Sequence, residues 1–254
     1  MKNWSLLRVT LSRLARKRAP DYNHLQMAEN KLQHYVPKCH MRPFSLAEGR
    51  ASINVYNIDS DRCIPNAPIK GQCARDYFYG KDLQFEKALQ GLEGVYAAVV
   101  KKAAEDPTAI TKSDLVVLRE FTLLQTYRTY AYVEKLMAVS EMQHADLKAA
   151  ASGKEVPEPA IKGIEQAVMM GIGHYLNGRK HVKDLEMCLV VNSAQREFIT
   201  SDDPAILTNR FHFQKLRSDT FGLVSAGTIL FLPLTPRLGF IAVFRRGILT
   251  PLAG

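Results

Sequence analysis

TILFLPL, residues 228–234, and LGFIAVF, residues 238–244, stand close together near the end of the chain, and their reading decides the fold. Each is a short apolar run rich in branched and aromatic side chains, the composition and length of a strand. LEMCLVVNS, residues 185–193, and REFITSD, residues 196–202, read the same way. Upstream of them the apolar period is helical. One helix is expected from about residue 82 to 105, ending near Asp106 and Pro107, and a second from about 113 to 148. A third is expected in PAIKGIEQAVMMGIGHYLNG, residues 159–178, opening at a proline and closing at Gly178 after the linker ASGKEVPEP. Nearer the start, SINVYNI, residues 52–58, alternates like a half-buried strand, and IDSDRCIPNAP, residues 58–68, carries turn signals. Helices followed by strands give an α+β fold, with long central helices packed on a C-terminal antiparallel or mixed sheet.

The chain has 254 residues, 46% of them hydrophobic, enough for one sizeable core over residues 27–254. No apolar run approaches the roughly 18 residues that span a bilayer, so no transmembrane segment is expected. The four cysteines show no CxxC pair and no zinc-ribbon spacing, which points to reduced thiols in a cytoplasm. The net charge of +9 is concentrated in residues 1–26, where six bases face the single acid Asp21. Trp4, Leu7, Leu11 and Leu14 fall at helical spacing opposite those bases, so this leader reads as a basic amphipathic helix for a membrane surface or nucleic acid. It also reads as a targeting peptide. A competing reading takes Met27, which opens MAENKLQHYVP, as the natural start, making the leader a non-native extension.

On the second helix, residues placed 100° apart put Val117, Leu118, Phe121, Leu124, Ala131 and Tyr132 on one apolar face, with Gln125 and Arg128 at its centre. A buried guanidinium needs an acid, because breaking such a pair costs about 3–5 kcal/mol. The first helix offers Glu86 and Glu93, which border the apolar face of Phe85, Leu89, Leu92, Tyr96 and Val99. They lie two turns apart, about 10 Å, too far to chelate one ion together. The polar cluster of Ser201, Asp202, Asp203 and Pro204 reads as an acidic turn at a sheet's end, able to coordinate a metal, activate water or clamp Arg128. The loop QHYVPKCHMRPF, residues 33–44, adds two histidines and a cysteine. Adjacent side chains in an extended loop point apart, which argues against Cys39 and His40 as a nucleophile and its base. His144, His174, His181 and His212 lack ligand spacing and read as surface or satisfied histidines.

Taken together these segments resemble the domain of unknown function 4238 family of bacterial proteins. The resemblance rests on His34, Tyr35, Val36, Pro37 and Lys38, on SINVYN, and on RDYFY at residues 75–79. It continues through Glu86 and Glu93, LLQTYRT with Gln125 and Arg128, the Ser-Asp-x-Pro motif of Ser201, Asp202 and Pro204, and LFLPLTP. His40 stands where the family usually has an aromatic residue, which marks His40 as peripheral and His34 as essential. The resemblance implies that His34, Glu86, Glu93, Gln125, Arg128, Ser201 and Asp202 converge. Such a group suits a hydrolase of phosphodiester bonds in nucleic acid or nucleotides, with His34 or a carboxylate activating water and Arg128 holding the anion. A divalent metal between Asp202 and one glutamate would fit that chemistry. No Gly-rich phosphate loop, HExxH or Asp-x-Glu-x-Lys run accompanies it. The alternatives are a non-catalytic binding or regulatory module whose cleft takes an anion such as a phosphorylated small molecule, and a purely structural polar network. A site open to solvent favours the first two, and a dry network the third.

Overall fold

The computed structural model describes residues 31–45, 49, 51–81, 83–151, 154–210 and 222–244. The leader and its amphipathic pattern lie outside the described residues. Strand β1 (Leu32–His34) pairs antiparallel with β4 (Ala74–Asp76), and β2 (Ser52–Asn57) pairs antiparallel with β3 (Arg62–Pro68). A short helix, α1 (Lys38–Met41), follows β1. The central helices are α2 (Leu83–Glu105), α3 (Lys112–Arg128), α4 (Tyr130–Ala150) and α5 (Ile164–Gly178). Strands β5 (Glu186–Val191), β6 (Ile206–Asn209), β7 (Thr228–Thr235) and β8 (Leu238–Val243) then form an antiparallel sheet in the order β5, β8, β7, β6. The α+β expectation holds, with the sheet after the helices.

The opening pair of apolar runs forms the β7 to β8 hairpin. Leu230, Leu232 and Leu234 are fully enclosed at a period of two, as are Phe240 and Ala242 opposite them, so one face of the sheet is core. The hydroxyl of Thr235 accepts from the backbone N–H groups of Arg237 and Leu238, at 3.1 and 3.0 Å, and closes the turn. Helix α3 contacts β5, β7 and β8 on this face and also packs on α2, α4 and α5. It is therefore buried all round, with every side chain from Val117 to Gln125 inside the protein.

Four expectations need correction. The helix expected over 113–148 is two helices, because Thr129 is extended (φ −75°, ψ 158°) and caps α4 through its side chain, which accepts from the Tyr132 N–H at 3.3 Å. The helical count loses its phase there, so Ala131 is exposed, Tyr132 is only partly buried and Val133 is enclosed instead. The third helix begins at Ile164 rather than at Pro159, since Ile161 is held by its N–H donating to the Ser140 hydroxyl (3.1 Å) and Gly163 is extended. REFITSD is not a strand; the pairing strand is Ile206–Asn209, just beyond Pro204. Part of the expected turn over 58–68 is β3, which tolerates Pro65 because its pairing with β2 is irregular and Asn66 sits at φ 53° with its N–H on Asn54 Oδ1.

Candidate functional site

Helix α3 starts from a capping box of Thr111 and Asp114 and ends at Arg128, where the extended Thr129 turns the chain away. The Arg128 guanidinium is thus fixed at the closing turn of a fully packed helix, where the helix dipole favours a cation. Its Nη2 donates to Glu93 Oε1 at 2.8 Å and to the His34 carbonyl at 3.0 Å, and its Nε donates to the Tyr79 hydroxyl at 3.0 Å. The Tyr79 hydroxyl donates in turn to the same His34 carbonyl at 3.1 Å. Arg128 is 1% exposed. Burial works against its charge, but Tyr79 and Glu93 hold its pKa above the ordinary arginine value. Burial pushes the Tyr79 phenol up to about 12, so it stays a neutral donor.

The expectation that an acid meets Arg128 is met by Glu93. One turn back on α3, Gln125 donates through Nε2 to the Tyr35 carbonyl at 2.8 Å. Gln33, which is wholly buried, donates to the Gly80 carbonyl at 3.0 Å and accepts from the Tyr79 N–H at 2.6 Å. These bonds lock the backbone of residues 33–35 to the RDYFY segment, to α2 and to α3. Buried backbone carbonyls require partners, and here long polar side chains supply them. Gln33 and Tyr79 escaped the sequence reading although both lie inside quoted motifs; a glutamine preceding HYVP was the available signal.

The remaining expected residues hold different positions. The His34 imidazole does not touch Arg128: its Nε2 is 3.1 Å from the Lys70 carbonyl, and partial burial followed by the Lys38 charge keeps its pKa below the usual histidine range. Its carbonyl is what joins the network. Glu86 is partly buried, and burial and then the Glu93 charge push its carboxyl up. Ser201 and Asp202 are exposed. The Ser201 hydroxyl accepts from the Asp203 N–H at 3.2 Å, and it is Asp203 that meets the helices, taking a 2.8 Å bond from the Thr129 hydroxyl. Asp202 therefore does not clamp Arg128, although its charge adds to burial, the larger cause, in raising the Tyr35 and Cys73 pKa values. Among the described residues, no three His, Cys, Asp or Glu side chains are grouped to hold a metal ion.

His40 is not peripheral. It is fully buried, with Nδ1 2.8 Å from the Tyr96 hydroxyl and Nε2 2.9 Å from the Thr200 hydroxyl, and burial lowers its pKa to about 3. An aromatic residue at this position would fill the same space between Tyr96, Phe44 and Phe121, and the imidazole does so with two hydroxyl partners added. Cys39 has no nucleophilic character: burial, then the Glu93 charge, push its thiol to about 12.

A model of the family of proteins of unknown function designated DUF4238 matches residues 32–247, which takes in every element described above. The chain belongs to this family. No curated protein and no solved structure matches it. In this DUF4238 chain the matched region also contains a second buried charged cluster, which the sequence reading missed. Glu120 on α3 accepts from Arg119 Nη2 at 3.1 Å through Oε1, and its Oε2 accepts from Arg179 Nε and, at 3.3 Å, from the Tyr175 hydroxyl. Arg119 Nη1 donates to the Lys183 carbonyl at 3.3 Å. The signal was an Arg-Glu pair between Leu118 and Phe121, which a two-sided amphipathic reading assigns to a solvated flank.

Proposed function

We propose that this DUF4238 protein is a non-catalytic binding or regulatory module, and that the network of His34, Glu93, Gln125 and Arg128 is its architecture rather than the centre of a phosphodiesterase. The observation that carries this reading is the enclosure of Arg128. A guanidinium that clamps a phosphoryl group must reach it, whereas Nη2 and Nε of Arg128 are spent on Glu93, Tyr79 and the His34 carbonyl inside the core. Glu93 is neutralised by the same contact, and Asp202 and Ser201 belong to an exposed turn that meets the helices through its neighbour Asp203. Four free cysteines, together with the lack among described residues of any helix able to cross a membrane, support a working place in the cytoplasm. The partner class favoured is a phosphorylated small molecule ahead of nucleic acid.

The test assays the full chain with Mg²⁺ and with Mn²⁺ against single- and double-stranded DNA and RNA, and melts His34→Ala and Arg128→Ala beside it. The expected result is no cleavage by the wild type, a near-normal melt for His34→Ala and a large loss of stability for Arg128→Ala. Metal-dependent cleavage that disappears in a normally folded His34→Ala protein would overturn the reading.

A further inference from the structure

The second cluster on α3 borders a cavity of about 320 Å³, lined by Arg119, Glu120, Arg179, Lys180 and Lys183 with Leu176 on its apolar side. That volume is at the small end of the range for sites that hold a small molecule. Four cations and one carboxylate line this cavity, and both oxygens of that carboxylate are already taken by Arg119, Arg179 and Tyr175. Lys180 and Lys183 form no ion pair among the described residues. The Arg119 side chain is only 8% exposed and that of Glu120 4%, while Arg179 is 20% exposed, so one enclosed and one partly exposed guanidinium share a single negative charge. A buried excess charge is expensive, and a counter-ion in the adjoining space would offset it. The Nε of Arg119 is also buried without a hydrogen-bond partner among the described residues, so the fold leaves this enclosed cation incompletely compensated. The C-terminal dipole of α5, worth about half a charge, opposes an anion here. Four cations against the one Glu120 carboxylate leave a net charge of +3, which outweighs it.

We propose that this cavity binds a small molecule through a phosphate group. The Arg179 guanidinium, 20% exposed and engaged with Glu120 through Nε, suits phosphate oxygens, while the enclosed Arg119 adds its charge from behind; Lys180 and Lys183 add flexible ammonium groups at the rim, and Leu176 and Val116 offer an apolar wall to the organic part. The site supplies a ligand class for the binding module proposed above and rests on that reading.

The test titrates the full chain, at low ionic strength, with inorganic phosphate, pyrophosphate and adenosine 5′-monophosphate by calorimetry. Lys180 and Lys183 are exposed, so a Lys180→Ala, Lys183→Ala double variant keeps the fold. Lys87→Ala with Lys101→Ala, two exposed lysines of α2, is the charge-matched control. Binding by the wild type and the control, weakened about tenfold or more in the Lys180 and Lys183 variant, is the expected result. Tighter binding of the nucleotide than of inorganic phosphate would place the organic part against the apolar wall, and equal binding would restrict the site to the free anion. Equal affinity in all three proteins would move the anion elsewhere and overturn this site while leaving the module reading intact. Absence of binding to the wild type overturns the site as well. Failure of the module reading is seen separately, as metal-dependent cleavage of nucleic acid.

Discussion

Two buried charge clusters sit on the same helix and differ in how they are closed. Around Arg128, one guanidinium meets one carboxylate, with a phenol and a backbone carbonyl taking further donors, and the guanidinium itself is enclosed. Around Glu120, two guanidiniums share one carboxylate and a cavity opens beside them. Charge balance is the lesson of the comparison. The Arg128 cluster is balanced in charge, one guanidinium on one carboxylate, and acts as a latch even though its Nη1 is buried without a partner among the described residues; a cluster with charge in excess still lacks a counter-ion.

The largest expected effect falls on the latch. Arg128→Ala strands Glu93 and the His34 carbonyl and should lose about 3–5 kcal/mol of stability in denaturant unfolding. Pyrophosphate should not restore that loss, because the damage lies in the closed cluster; selective rescue of this variant by the anion would break the distinction between the two. Glu120→Gln is next, at about 3 kcal/mol, because it leaves two guanidiniums facing each other. Here pyrophosphate should recover part of the loss and bind more tightly than to the wild type, as calorimetry would show.

A neutral polar group in the same core supplies the third prediction. His40 has a pKa near 3 when folded and near 6.5 when unfolded, so between those values the unfolded chain binds the extra proton. Its contribution is fully present above pH 6.5 and is lost as pH falls towards 3, with a limiting slope of about 1.4 kcal/mol per pH unit. The partly buried His34 acts in the same direction. Unfolding free energies measured from pH 7.5 to 5 should fall less steeply in His40→Gln than in the wild type, and identical slopes would show that His40 does not stay neutral in the fold. The smallest effect is at the helix break. Thr129→Val removes the cap of α4 and the bond to Asp203 and should lower stability by about 1–2 kcal/mol.

The sequence was most readable where chemistry and pattern disagreed. Arg128 in an apolar stripe demanded an acid, and Glu93 on the border of the first helix was among the two candidates. Strands β7 and β8 were readable because their apolar residues have strand length and composition; their pairing as a hairpin was not. The break at Thr129 was hidden, since threonine is tolerated within helices and only its dihedrals and its bond to Asp203 mark it as a cap. Arg119 and Glu120 were missed for a related reason. A helix packed on four sides has no solvent face, and two-sided periodicity does not describe it. His40 was set aside as peripheral because it departs from a family's aromatic residue, whereas its imidazole fills the buried aromatic space with two hydroxyls as partners.

The central claim is that Arg128 is closed onto Glu93 as architecture, and a double-mutant cycle tests it most directly. Unfolding free energies of the wild type, Glu93→Gln, Arg128→Met and the double variant isolate the energy between the two side chains. The expected outcome is a coupling of about 2 kcal/mol or more, with the double variant more stable than the sum of the single losses implies. Additive losses, or an Arg128→Met protein as stable as the wild type, would contradict the latch.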